Sequence, residues 1–332
     1  MEYPEVVIAS YARTPIGAFG GGLASITAPQ LGSITIKAAL ERAGLAASEV
    51  DEVIMGNVLP AGVGQAPARQ AALGAELPDS VETLTVNKVC GSGLKAVMLA
   101  AQAIRSGDAG IVVAGGMESM SNVPYYLKGA RTGLRLGHGE ATDGIIHDGL
   151  WDVYTQVHMG SCAEICAREG SYSREAQDEY TIRSYERALE AQKEGRFDHE
   201  IVPVEVPRRK GEPHLVAIDE EPGKVKFEKV PTLRPVFEKE GTVTAANASS
   251  INDGAAALVV MSAENAARLN IAPVARIVGQ SAAAQAPEWF TTAPAKAIEK
   301  VLDKTGLTIK DIDLFEINEA FAVVALAALN EL

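Results

Sequence analysis

Residues 44–57 read GLAASEVDEVIMGN, and residues 306–319 read GLTIKDIDLFEINE. At a constant offset of 262 positions, Leu45 falls on Leu307, Val50 on Ile312, Asp51 on Asp313 and Met55 on Ile317. An Ala-Pro pair opens the helical stretch ahead of each copy, at Ala28-Pro29 and Ala293-Pro294. The first of these helices is expected to be three residues longer than the second. Two copies of one helix–strand unit are therefore expected, and the fold has to be built around them.

Working outward from the first copy, the chain alternates apolar strands and amphipathic helices. EVVIASYARTPIG (5–17), VDEVIMGNV (50–58), VETLTVNKV (81–89) and AGIVVAGGMES (109–119) read as strands. Leu31, Ile34 and Ala38 share a helix face that Gly44 ends, and Leu94, Val97, Met98, Ala101 and Ile104 keep helical spacing over 92–106. Apolar strands alternating with helices predict a layered α/β fold with a largely buried sheet. Residues 1–119 form the N-terminal core unit in this reading. Residues 120–249 form an inserted loop domain rich in Pro, Gly and charge, with one long polar helix capped by Ser173 and ended by Gly195. Residues 250–272 supply a return strand and helix, and 273–332 the second core unit. That second unit is expected to be incomplete. The counterpart of position 90 would fall at 352, so the copy shows one strand and the helix EAFAVVALAALNEL (319–332), which is apolar on nearly every face.

Bulk properties exclude several classes. The 332 residues are 47% hydrophobic and 22% charged, as in ordinary globular proteins. A net charge of −13 argues against general nucleic-acid or acidic-membrane binding. No apolar run approaches the roughly 18 residues of a membrane span, and the start MEYPEVVIAS lacks the basic opening of a targeting peptide. Three cysteines without a CxxC pair suit a reducing compartment, so a cytoplasmic location is expected. No His or Cys cluster has metal-ligand spacing, so no metal is expected.

The chemistry concentrates in few places. Cys90, in VNKVCGSGLKAV (86–97), stands where a strand gives way to a helix. Free N–H groups and the dipole there favour thiolate, Gly91 and Gly93 allow close approach, and Lys88 adds positive potential. The competing reading is an inert buried sulfur. Asn318, in EINEAFA (316–322), reads locally as a helix cap, or else as an amide that orients water or polarises a carbonyl. His158 suits a half-buried helix start or an amphipathic ligand, and the NASSINDG loop around Ser249 reads as a turn that can also bond an amide. IGAFGGG (16–22) lacks phosphate-loop spacing and reads as a turn. Arg208, Arg209, Lys210, Lys224, Lys226 and Lys229 make a basic stretch in an acidic chain.

Together VNKVCGSGLKAV, HMGSCAE (158–164), GTVTAANASSINDGAAA (241–257) and EINEAFA occur in the order seen in the thiolase family, and the chain resembles that family's short-chain branch from Ile8 to Leu332. The resemblance implies reversible Claisen condensation of two acetyl-CoA into acetoacetyl-CoA and CoA, with the CoA thioester as substrate and no cofactor. By the same resemblance Cys90 is the acyl acceptor, and Asn318 holds water in an oxyanion hole. His158 and Ser249 contact pantetheine; Met159, Leu150, Phe237, Ala245 and Phe321 wall the tunnel; Phe290 closes the acyl pocket. The basic stretch is expected to meet the CoA phosphates. SNVPYYLKGARTGLRLGHG (121–139) is similar to the loop through which such enzymes build tetramers, so a homodimer or homotetramer is expected. The family also carries a Gly-His-Pro histidine and a Cys-x-Gly-Gly cysteine beyond the Asn-Glu-Ala-Phe motif, and neither occurs in these 332 residues. Three alternatives follow: a thiolase whose sequence continues past Leu332, an inactive CoA-binding fragment, or a β-ketoacyl synthase relative.

Overall fold

The computed structural model describes residues 3–332. They form two units: Met1–Gly149 with Arg196–Glu221 and Ile251–Ile277, and Leu150–Gly195 with Pro222–Ser250 and Val278–Leu332. The expected insertion over 120–249 is thus divided. Its first thirty residues and the 196–221 segment join the sheet-bearing unit, while the rest joins the C-terminal segment.

The first unit is built on seven strands: β1 (Val6–Arg13), β2 (Gly17–Ala18), β3 (Glu52–Gly56), β4 (Glu82–Val86), β5 (Ile111–Ser119), β6 (Asn252–Ser262) and β7 (Ala275–Arg276). Their order is β7-β1-β6-β5-β3-β4, with β2 on β6. β3 runs parallel to β4 and β5, whereas β6 is antiparallel to β1 and β5. Period-two alternation sends Val7, Val53, Met55, Val113 and Met261 to one face, beneath α1 (Ala28–Ala43) and α2 (Pro67–Gly74). Val6, Ile54, Val112, Ala114 and Val260 face the other way, beneath α3 (Ser92–Ser106). The result is an α/β/α sandwich, as the buried strands predict. The face of α3 differs from expectation. Ala96, Ala100, Ala101 and Ile104 are buried while Leu94 is 70% exposed, because small residues let the helix lie close on the glycines of β3 and β5.

The IGAFGGG loop is a turn filled from within. A Glu220 carboxylate oxygen accepts from Ala18 N–H at 2.8 Å and from Gly22 N–H at 3.0 Å, and Asp219 Oδ1 accepts from Ile16 N–H at 2.7 Å. A side chain at Gly21 would collide with Glu220. Three of the loop's N–H donors are therefore spent on two carboxylates of the same unit, and Gly20 N–H donates to Ser121 Oγ at 2.9 Å.

The second unit contains α4 (Met159–Glu169), α5 (Arg174–Lys193), α7 (Ala293–Thr305) and α8 (Ala322–Glu331); α6 (Ala263–Arg268) belongs to the first unit. Ser173 caps α5, its hydroxyl accepting from Ala176 N–H at 3.2 Å. Ala163, Cys166 and Ala167 of α4 pack with Val323, Val324 and Ala327 of α8 around Val243 and Phe321. Leu329 on α8 is 70% exposed, so the all-round apolar helix is not covered on every face.

The repeat holds locally. α1 has 16 residues and α7 has 13, and both end on a left-handed glycine, Gly44 at φ +63° and Gly306 at φ +70°. Short 3-10 turns follow at Ala47–Glu49 and Ile309–Asp311, again 262 positions apart. The strand does not repeat. Residues 314–318, the counterparts of β3, are irregular, and Leu314 is 88% exposed. β3 is a strand because β4 and β5 satisfy its backbone on both sides. Among the described residues no ladder flanks 314–318.

Candidate active site

Cys90 lies on the turn between β4 and α3. The helix starts at Ser92 with Gly91 as its N-cap, so the cysteine stands just outside the first turn. The preceding residue, Val89, has φ +48°, a conformation that costs a β-branched side chain on the order of 1–3 kcal/mol. Local hydrogen bonds hold it there. Asn87 Oδ1 accepts from Val89 N–H at 2.9 Å, Ser92 Oγ accepts from Lys88 N–H at 2.8 Å, and the Ser92 hydroxyl donates to Val89 O at 2.6 Å. Cys90 follows directly on this turn and is exposed to solvent.

The expectation that the helix lowers the thiol pKa is corrected. Desolvation by the surrounding protein pushes Cys90 up, and the pull of its own backbone N–H is the smaller influence. Cys90 is therefore a thiol at neutral pH and needs a base to become a nucleophile. The other two cysteines are buried on α4. Burial, then Asp152 and Glu288, pushes Cys162 up to about 11, and burial also raises Cys166.

A glycine on β3 supports the same turn from behind. A side chain at Gly56 would come within 2.7 Å of Ser92 and 2.8 Å of Gly93 N, whereas Gly91 and Gly93 have only ordinary contacts. Gly56 on β3 is what allows the start of α3 to sit where it does.

The remaining candidates lie in the second unit. His158 is the N-cap of α4, and its Nδ1 accepts from Gly160 N–H at 3.0 Å. In the neutral ring the proton therefore resides on Nε2, which is left as a donor. Burial lowers its pKa, so this neutral state holds at physiological pH. The ring stacks on Phe237 at 4.8 Å between centroids. Phe237 in turn lies over Gly160, where any side chain would fall within the ring. Met159, Phe237, Phe290 and the 7%-exposed Phe321 gather in one apolar cluster, so three of the expected tunnel residues and the expected acyl-pocket residue come together. Leu150 is half-buried, while Ala245 and Ser249 are exposed on the neighbouring loop.

That loop is bound to the Asn318 segment. Ser249 N–H donates to Ala320 O at 3.0 Å and Ala322 N–H to Asn247 O at 2.8 Å. The helix-cap reading of Asn318 is corrected, since the N-cap of α8 is Phe321 and Asn318 is exposed three residues earlier. Its neighbour Glu319 accepts from Tyr180 Oη at 2.6 Å and from Ser184 Oγ at 2.7 Å, which ties the segment to α5. Burial and this carboxylate together raise the Tyr180 pKa.

Three supports escaped the sequence reading. Buried Glu164 accepts from Thr242 and Val243 N–H at 2.9 and 2.8 Å. Buried Asn247 donates to Asp178 Oδ1 at 3.1 Å and accepts from Thr244 N–H at 2.7 Å. Gly160 makes room for Phe237. All three lie inside or beside quoted motifs, but their partners are distant in sequence. Of the basic stretch, Arg208, Arg209 and Lys210 belong to the first unit and Lys224, Lys226 and Lys229 to the second; all six are exposed.

An exposed cysteine on a strained strand-to-helix turn of an α/β/α unit is an arrangement suited to thiol-based acyl transfer. The thiolase N-terminal domain matches residues 6–264 and the thiolase C-terminal domain residues 271–332, and the chain belongs to the thiolase family. It is 56% identical to acetyl-CoA acetyltransferase 2 of Arabidopsis thaliana over 326 residues, covering 97% of this chain and 81% of that protein. The crystal structure of the Bacillus anthracis acetyl-CoA acetyltransferase superposes with a TM-score of 0.96 at 42% identity, over 99% of this chain and 83% of that one. The Acat5 thiolase from Ascaris suum in complex with coenzyme A gives 0.94 at 43%, over 98% and 84%. The β-ketoacyl synthase alternative is not favoured.

Proposed function

We propose that the chain is an acetyl-CoA C-acetyltransferase, and the observation that carries this is Cys90, exposed on its strained turn, in a chain more than half identical to acetyl-CoA acetyltransferases. The Cys90 thiolate attacks the carbonyl carbon of one acetyl-CoA; the carbon–sulfur bond to CoA breaks, and CoA leaves as a thiol after taking a proton. A second acetyl-CoA loses a proton from its methyl carbon. The resulting enolate carbon attacks the acetyl-Cys90 carbonyl, a carbon–carbon bond forms, and the Cys90 thiolate is released with acetoacetyl-CoA. The backbone N–H of Cys90 and a water held by Asn318 stabilise the two oxyanions in this scheme. His158 Nε2–H and Ser249 bond pantetheine, the Phe237, Phe321, Met159, Leu150 and Ala245 surfaces enclose its apolar stem, and Phe290 limits the acyl chain. The chemistry requires no metal or redox group, only a base and an acid.

Acetoacetyl-CoA formation measured for wild type and for Cys90→Ser tests the reading. Acetoacetyl-CoA formation that survives Cys90→Ser would sink it.

Self-association is part of the proposal, supported by Tyr125, Leu127, Leu134 and Leu136, all exposed on the 121–139 segment. Light scattering of Leu134→Asp should give a smaller mass than wild type. Among the described residues no helix is long and apolar enough to cross a membrane. Cytoplasmic residence fits the reduced cysteines, and fractionation of tagged protein tests it.

A further inference from the structure

The Cys90 turn is anchored from a carboxylate that the reaction scheme does not use. Glu118, near the end of β5, accepts three hydrogen bonds from the residues that follow β3: Val58 N–H at 2.7 Å, Asn57 Nδ2 at 2.8 Å and Leu59 N–H at 3.3 Å. The link continues toward the cysteine. Val58 O accepts from Asn87 Nδ2 at 3.2 Å, and Asn87 Oδ1 accepts from Val89 N–H at 2.9 Å. Asn57 N–H also donates to Val86 O at 3.1 Å, so β4 is held to the same loop up to the residue before Asn87.

Val89 is the point where this matters. A valine at φ +48° relaxes toward the extended region unless its surroundings over-determine it. Relaxation there rotates the peptide that carries the Cys90 N–H and swings the sulfur away from its place. The Ser92 hydroxyl holds Val89 O on the far side of that residue, and Asn87 grips the Lys88–Val89 peptide on the near side, fixing the φ of Val89 from its N–H; Asn87 is exposed, with no core to fill. Glu118 is largely withdrawn from water. Its desolvation outweighs three donors and leaves the carboxyl pKa raised, with Asp253 on β6 adding a like charge. A carboxylate kept in such a place holds the loop in one position rather than serving solvation.

We propose that Asn87 is a positioning residue for Cys90, and that Glu118 holds the Val58 carbonyl to which Asn87 is tied. The proposal rests on the reading of Cys90 as the acyl acceptor, and the test separates the two. Two reactions of Cys90 are compared in the 332-residue chain at pH about 9.5, where thiolate is available. One is acetylation by acetyl-CoA, which demands geometry; the other is alkylation by iodoacetamide, a small reagent that does not. Both are followed by intact mass. A change in thiolate population moves both rates equally, whereas displacement of the sulfur slows acetylation alone.

For Asn87→Ala, acetylation is expected to fall by tenfold or more with alkylation within about threefold, since misplacement of this kind costs up to about a hundredfold. Asn87→Ser keeps a hydroxyl acceptor for Val89 N–H and should recover part of the loss. Glu118→Gln should shift the ratio in the same direction. The Asn87 assignment falls if Asn87→Ala leaves the ratio of the two rates at the wild-type value, whether both rates change or neither does. The Glu118 part falls if Glu118→Gln folds with a wild-type ratio. Should Glu118→Gln not fold, its structural weight in the loop is established, and Asn87→Ala alone decides the proposal. Wild-type Cys90 that is alkylated but never acetylated would overturn the acyl-acceptor reading, and this proposal with it.

Discussion

At the scale of single residues, desolvation by the surrounding protein outweighs the helix N-terminus at Cys90, although the residue is exposed on its turn. Its thiol pKa lies above the ordinary value because desolvation exceeds the pull of its own N–H. The iodoacetamide rate at Cys90 should therefore still be climbing beyond pH 9, and a plateau reached near neutrality would contradict this. Cys162 and Cys166 should stay unmodified in the folded chain, being buried with raised pKa values. On the pantetheine side, Gly160 is the sharpest test. A methyl group there collides with the Phe237 ring, so Gly160→Ala should cost about 1–3 kcal/mol and raise KM for acetyl-CoA more than it lowers kcat. The same change relieves the burial of His158. Burial lowers the His158 pKa in the fold, so its contribution to stability is present above the ordinary histidine value and is lost as pH falls through the lowered one. A proton NMR titration of Gly160→Ala should show the His158 midpoint moving up toward that ordinary value; an unchanged midpoint would mean the stack on Phe237 is not what buries it.

At the scale of elements, the sequence told most where a local rule acts. Gly44 ended one helix, Ser173 capped another, and the apolar runs over β3 and β5 became buried strands. It told least where an element depends on partners far along the chain. Residues 314–318 repeat β3 in sequence but lack its ladders, and Leu94 follows a helical pattern yet is exposed because alanines make the packed face. The elements that place Cys90 meet at one glycine. Gly56→Ala on β3 would push against Ser92 and Gly93 at the start of α3, so the expected result is about 1–3 kcal/mol of lost stability with acetylation of Cys90 reduced tenfold or more. Acetylation at the wild-type rate would show that α3 and its cysteine move independently of β3.

For the whole molecule, the four ordered motifs made the family legible before any coordinates, because each motif keeps its chemistry within a few residues. The network behind them was not legible. Glu164 to Thr242, Asn247 to Asp178 and Glu319 to Tyr180 join residues roughly 70 to 140 positions apart, and nothing in their local sequence marks the pairing. The account therefore stands or falls on the acyl acceptor that these supports serve. Acetyl-CoA added to the chain across an alkaline pH series, followed by peptide mapping, tests it most directly. The predicted result is one hydroxylamine-labile acetyl group on Cys90, increasing with pH and absent from Cys90→Ser. Acetyl label on another residue, or none on Cys90 at any pH, would contradict it.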